Sequence, residues 1–263
     1  MTGEFAQATA VERRDDGAYA AEIAPGWDIL GNANGGYTLA IAARAMADAA
    51  GRPPLGITGH YLAPAKVGPC TVEVTVQRAG RRMATVSAVV RAGGTDLMAV
   101  LGTFGDQVES GPTLVTAAAP DLPPIEKCVR TVPPSFGSDF GDRIDVRARP
   151  EDAGFREGRP SGRAEVAGWF RFADDHPVDA FGLVQVADAF APTVFNAPDV
   201  PVSWAPTLDL TVHIRGVPAP GPLRCRFRSA VIQGGLFEED GEMWDSRGVL
   251  VAQSRQLALV PRA

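Results

Sequence analysis

The chain has 263 residues, 45% of them hydrophobic, with a formal charge of −6 and a pI near 5.2. That length holds one large domain or two of roughly 100–150 residues, and the acidic balance argues against a nucleic-acid binder, which shows a basic face. Cys70, Cys128 and Cys225 are odd in number and widely spaced, with no CxxC or Cys/His cluster, so neither a disulfide framework nor a zinc site is expected.

The first 17 residues are polar, carry Arg13, Arg14, Asp15 and Asp16, and lack the apolar core of a signal segment. No run of about 18 apolar residues follows, so no membrane span and a cytoplasmic location are expected. Residues 18–25 suggest a short strand, and 26–36 a loop rich in Gly and Asn. Residues 36–50 predict a helix whose apolar surface is interrupted only by Thr38, Arg44 and Asp48, so it is buried on most sides. Gly51 is a natural cap, and Pro53 and Pro54 block continuation. Four strands are expected at 57–62, 70–78, 83–92 and 96–104, with glycine-marked turns between them. One buried helix followed by an antiparallel meander is an α+β layout.

Residues 107–139 differ in character. Pro112, Pro120, Pro123, Pro124, Pro133 and Pro134 interrupt any periodicity, which marks a linker between an N-terminal domain at 1–106 and a C-terminal domain at 140–263. The second half repeats the plan. A strand is expected at 164–172, then a second apolar helix over 179–195, weakened at Pro192. Further strands are expected at 207–214, 223–232, 235–244 and 249–260.

The repeat has a local signature. His60 and His213 lie 153 positions apart, and each is followed by Gly-Pro eight and nine residues later, at Gly68-Pro69 and Gly221-Pro222. A repeat unit this large is a domain rather than a solenoid turn. Two similar domains in one chain suggest a fused dimer with its function in the seam.

A long buried helix wrapped by an antiparallel sheet, present twice, resembles the double hotdog fold. Asn34-Gly35-Gly36-Tyr37, at the start of the first helix, resembles the Gly-Gly motif of acyl-CoA thioesterase II proteins. Val186-Ala187-Asp188 resembles the segment with that family's catalytic Asp. Pro206-Thr207-Leu208-Asp209 resembles the strand that supplies its active-site Thr, and Val251 to Gln256 the last strand, which supplies its Gln. There are departures: Tyr37 stands where the family commonly has Gln, and Asp209-Leu210 stands where it commonly has Asp-His. The chain therefore resembles a divergent branch.

The resemblance implies hydrolysis of an acyl-CoA to free acid and coenzyme A, with Asp188, Thr207 and Gln256 as catalytic residues. It also implies substrate binding by Gly35, Gly36 and Tyr37, a role in lipid metabolism, and no cofactor or metal. The residues themselves are compatible with this chemistry. A carboxylate in the apolar stretch around Asp188 must be compensated, since burying it unpaired costs several kcal/mol; Gln185, three residues earlier, is one candidate. Hydroxyl and amide groups such as Thr207 and Gln256 can hold a water in attack geometry. The N–H groups at the first helix start are placed to polarise a carbonyl. Without the resemblance, Thr207 and Gln256 read as ordinary strand polarity, and Asp188 as a structural or ion-paired group.

Other constellations are absent: there is no GxSxG elbow and no phosphate-binding glycine motif. Equivalent strand positions give His60 and His213 a structural or pocket-lining role. Arg78, Arg81, Arg82 and Arg91 are candidates for coenzyme A phosphates, or solvated turn charges. Two rivals stay open, a non-catalytic acyl-CoA or lipid binder and a hydratase or dehydratase. The latter typically pairs Asp with a His five residues on, where this chain has Thr193. Acyl-CoA is the expected partner, without nucleic acid or membrane, and assembly into homo-oligomers is open.

Overall fold

The computed structural model describes residues 3–107, 113–132 and 139–262, so parts of the expected proline-rich linker, 108–112 and 133–138, lie outside the described residues. The first half contains α1 (Glu4–Ala8), β1 (Val11–Arg13), β2 (Tyr19–Ile23), β3 (Asp28–Ile29), β4 (Asn32–Ala33), α2 (Gly35–Ala50), β5 (Pro54–Tyr61), β6 (Gly68–Ala79), β7 (Met83–Ala92) and β8 (Thr95–Gly105). The second contains β9 (Val129–Arg130), α3 (Phe140–Arg143), β10 (Ile144–Ala148), β11 (Glu165–Phe172), α4 (Ala180–Val186), β12 (Thr207–Ile214), β13 (Leu223–Arg228), β14 (Ile232–Gln233), β15 (Leu236–Trp244) and β16 (Leu250–Leu259). One 14-stranded antiparallel sheet runs β1-β2-β6-β7-β8-β5-β12-β16-β15-β13-β11-β10-β9, with β14 attached to β15. The α+β expectation holds.

Helix α2 has defined ends. Asn34 caps its start, the side-chain oxygen accepting the Tyr37 N–H at 3.0 Å. Gly51, at φ 63°, reverses the chain at the other end, and Arg52 N–H reaches back to the Ala47 carbonyl at 3.2 Å. Ala40, Ala42, Ala43 and Ala45 are fully buried. Small side chains on several sides let β5, β6, β7, β8 and α4 all pack against one helix. The strands alternate as half-buried strands must: Ala84, Val86, Ala88 and Val90 of β7 face inward, and their neighbours do not.

The halves join where β5 pairs antiparallel with β12. Thr58 stands opposite Thr211, their hydroxyls 2.9 Å apart. These two residues have the offset of the sequence repeat, so the internal two-fold relation passes between them. A single apolar cluster holds Leu39 and Ile41 of α2 together with Leu183 and Val186 of α4.

Several sequence expectations are corrected. The second helix was expected over 179–195, but α4 stops at Val186. Asp188 N–H bonds to the Gln185 carbonyl and Ala189 N–H to that of Val186, three residues back rather than four, and Pro192 cannot continue a helix. A short 3₁₀ turn, Thr193–Asn196, replaces the remainder. Asp188 thus lies just past the helix end. Val129–Arg130, within the expected linker, adds to the sheet edge beside β10. The expected loop at 26–36 contains the β3–β4 ribbon, turned through Leu30 and Gly31, both with positive φ. No helix among the described residues is long and apolar enough to cross a membrane.

Candidate active site

The site lies where the start of α2 meets the end of α4. Glycine permits the approach. A Cβ on Gly36 would stand 2.9 Å from the Val184 carbonyl oxygen and 3.0 Å from that of Gln185, so any side chain there pushes the helices apart. A Cβ on Gly35 would fall 2.9 Å from the Tyr61 hydroxyl and 3.0 Å from Asp188 Oδ2. The two glycines therefore differ: Gly36 closes a helix crossing, while Gly35 leaves the space that the Tyr61 and Asp188 side chains share.

Asp188 is held tightly. Its Oδ2 accepts the Gly36 N–H at 2.9 Å and the Asn34 Nδ2 at 2.9 Å. Asn34 Nδ2 also donates to the Asp188 carbonyl at 2.8 Å, and Asn34 Oδ1 accepts from Gln185 Nε2 at 2.9 Å. The Gln185 side chain therefore supports the Asp188 carboxylate through Asn34 rather than directly. Burial pushes the Asp188 pKa up to about 6, against the downward pull of the Gly36 and Gly35 N–H groups and the Asn34 amide. A carboxylate in this range is ionised at neutral pH yet basic enough to take a proton.

A cavity of about 740 Å³ opens over this carboxylate. Gly35, Tyr61, Asp188, Thr207, Glu239 and Gln256 line it together with apolar side chains that include Leu97, Met98, Phe155, Phe190, Phe195 and Trp204. The volume and the mix of apolar walls with a few polar groups suit a small-molecule pocket. Thr207 and Gln256 are joined, the threonine hydroxyl donating to Gln256 Oε1 at 3.2 Å. Gln256 Nε2 donates in turn to Glu239 Oε1 at 2.9 Å.

Asp188, Thr207, Gln256 and Gly35 thus reach one cavity, and Gly36 contributes its N–H to Asp188. Tyr37 does not reach it. Its ring is fully buried and stacked on Trp27 at 5.2 Å between centroids, and its hydroxyl donates to the Ala8 carbonyl at 2.7 Å. Tyr37 is a core residue because its side chain leaves α2 on the side facing the N-terminal segment. The expectation that the α2 N–H groups polarise a carbonyl also changes. The Gly36 N–H is committed to Asp188 and the Tyr37 N–H to Asn34. His60 and His213 are exposed and do not line the cavity. Arg91 is ion-paired with Glu73 and Asp96. Thr193, at the position of a hydratase's His, gives its N–H to Glu239 and bonds the Ser229 hydroxyl.

Three residues escaped the sequence reading as site residues. Asn34 carried a helix-cap signal but not its second task of binding Asp188. Tyr61 contributes a buried hydroxyl that has no hydrogen-bond partner, with a pKa raised well above the usual phenol value by burial and by Asp188 and Asp209. Glu239 is a buried carboxylate whose signal was strand alternation, since Phe237, Glu239, Gly241 and Met243 share the inner face of β15.

Comparisons agree with this architecture. Residues 23–105 match the acyl-CoA thioesterase N-terminal domain, and residues 117–260 match the acyl-CoA thioesterase C-terminal domain. A candidate thioesterase II from Thermobifida fusca is 32% identical, with a TM-score of 0.88 over 98% of each chain. A protein of unknown function with a hot dog fold from Alicyclobacillus acidocaldarius is 25% identical, with a TM-score of 0.84 over 100% of each chain. An uncharacterized protein of Mycobacterium tuberculosis is 26% identical over 91% of this chain and 90% of its own length. With both halves matched in order and the whole chain superimposed on a hot dog protein, this chain belongs to the acyl-CoA thioesterase family.

Proposed function

We propose that this protein hydrolyses an acyl-CoA thioester to a free acid and coenzyme A, using a water held between Asp188 and the Thr207–Gln256 pair. One observation carries the reading. A half-buried carboxylate with a pKa of about 6 faces the same apolar cavity as a hydroxyl and an amide already bonded to each other. The water oxygen bonds to the thioester carbon while Asp188 takes the water's proton. The C–S bond then breaks, and that proton passes to the departing thiolate sulfur. The Tyr61 hydroxyl, buried without a partner at the cavity wall, is the donor for the developing oxyanion. The phenylalanine, leucine and methionine walls favour an apolar acyl group. No metal takes part in these steps, so a chelator should leave turnover unchanged.

The test is an acyl-CoA panel with a thiol reagent reporting free coenzyme A. Release from apolar acyl thioesters is expected. Tight acyl-CoA binding with no thiol released across the panel would overturn the hydrolase reading and leave a non-catalytic acyl-CoA binder.

A further inference from the structure

We propose that Glu239 is a positioning residue of this site: it sets which way round the Gln256 amide lies, and through that amide which way the Thr207 hydroxyl donates. The inference rests on the hydrolytic reading above. Its basis is a four-member chain of hydrogen bonds that ends at the cavity. Glu239 Oε2 accepts the Thr193 N–H at 2.8 Å, its Oε1 accepts Gln256 Nε2 at 2.9 Å, and Gln256 Oε1 accepts the Thr207 hydroxyl at 3.2 Å.

The direction of this chain follows from its first member. An ionised carboxylate only accepts, so the Gln256 amide must turn its NH₂ toward Glu239 and its carbonyl toward Thr207. A carbonyl only accepts, so the Thr207 proton is committed to Gln256. The threonine oxygen then offers only lone pairs to the cavity. A water there can donate one proton to Thr207 and the other to Asp188, which leaves its own lone pair for attack.

A neutral group at 239 reverses the sequence. Its carbonyl keeps the Thr193 N–H, so its other end becomes a donor to Gln256. The amide turns over, its NH₂ faces Thr207, and the threonine proton swings into the cavity against the water. Acidification and a Glu239→Gln substitution therefore have the same effect. Burial pushes the Glu239 pKa up to about 7, and the charge of Asp188 adds to the rise, while the Thr193 and Gln256 donors lower it. The groups around Glu239 are few. Asp188 faces it from beyond α4, and Thr193 and Gln256 are neutral. On its own strand Glu238 is bound by the Ala230 and Val231 N–H groups, and Asp240 pairs with Arg255.

The experiment measures kcat and KM against pH for wild type, Glu239→Gln, Gln256→Ala and the double variant, with thermal melting to confirm folding. Wild-type kcat should fall on the acid side through two ionisations. Glu239→Gln should lose about 10- to 100-fold in kcat at unchanged KM, as a misplaced positioning group does, and keep one acid-side ionisation. The double variant should be no slower than Gln256→Ala alone, since Glu239 acts through that amide. A Glu239→Gln enzyme with wild-type kcat and both ionisations overturns the inference while the hydrolase reading stands, as does a double variant with multiplied losses. A wild type that releases no thiol overturns both.

Discussion

Asn34 and Asp188, 154 residues apart in sequence, are joined twice by one amide group, at 2.8 Å to the Asp188 carbonyl and 2.9 Å to its carboxylate. The same asparagine caps α2, so the helix start and the carboxylate are positioned by one side chain. Asn34→Asp replaces the donor with a second acceptor against Oδ2. Like charges so close raise a carboxylate pKa, so the acid limb of the kcat profile should move to higher pH. Asn34→Ala loses the same donor without adding a charge, so it should lower kcat and move the limb in the same direction but less far. An unmoved acid limb in Asn34→Asp would show that the pair is not coupled in solution.

Asp188→Asn keeps the shape and removes the base. A loss of about 10²–10⁴-fold in kcat is expected, with little change in KM. Stability should move the other way. The folded pKa of Asp188, about 6, lies above its unfolded value near 3.8, so folding favours the protonated form. That contribution is complete below the unfolded value and is lost as pH rises through about 6. At pH 8 the ionised, half-buried Asp188 therefore burdens the fold by at most about 3 kcal/mol. Asp188→Asn should melt higher than wild type at pH 8, with the advantage shrinking toward pH 4. Wild-type turnover in the folded variant would refute the assignment.

Thr207→Val and Gln256→Ala each remove one positioning contact. Each should cost less than Asp188→Asn, on the order of 10- to 100-fold in kcat, with KM nearly unchanged because in the proposed reaction both act at the reacting carbon rather than along the coenzyme. Saturation kinetics on a single good substrate separate the two parameters. A rise in KM at constant kcat would reassign these residues to substrate binding.

Tyr61→Phe deletes a hydroxyl that is buried without a partner. Such a group costs roughly 1–3 kcal/mol in the free protein, so the variant should be more stable than wild type. If the hydroxyl meets the oxyanion, kcat should fall about 10²-fold or more, the effect of losing one such donor. Higher stability together with undiminished kcat would remove Tyr61 from the chemistry.

Gly36→Ala tests the helix crossing. Its Cβ would meet backbone oxygens of Val184 and Gln185 at 2.9 and 3.0 Å, atoms that cannot move without displacing α4. A destabilisation of about 1–3 kcal/mol is expected from overpacking. Turnover should drop with it, because Asp188 follows the end of α4. Urea denaturation read against activity at low denaturant gives both values.

Much of the scaffold was legible because its signals are local. The boundaries of β7 at 83–92 and β12 at 207–214 follow from alternation and flanking turns alone. Helix α2 follows from an apolar run that ends at Gly51 before Pro53 and Pro54. The 153-residue repeat is a pattern within the chain, and it foreshadowed a seam at which Thr58 and Thr211 meet. Asp188, Thr207 and Gln256 stand out only through likeness to a family; by residue type alone Thr207 and Gln256 are ordinary strand polarity.

Other properties belong to the tertiary structure because they depend on which distant atoms share a small volume. Apolar residues continue through Ala187, Ala189 and Phe190, so composition favoured a longer α4. Instead, the carbonyl and carboxylate of Asp188 find partners on α2, and Pro192 closes the helical alternative. Tyr37 stands in a motif that suggested ligand contact, but the direction in which its side chain leaves α2 puts it on Trp27. Glu239 had the alternation of an inward position, yet what it binds there could not be read from β15. Its partners come from the Thr193 turn and from β16, and only the closing of the sheet brings them within hydrogen-bonding distance. Sequence determines which residues can be buried and with what period; the pairing of a buried polar group is decided by where the rest of the chain supplies a complementary donor.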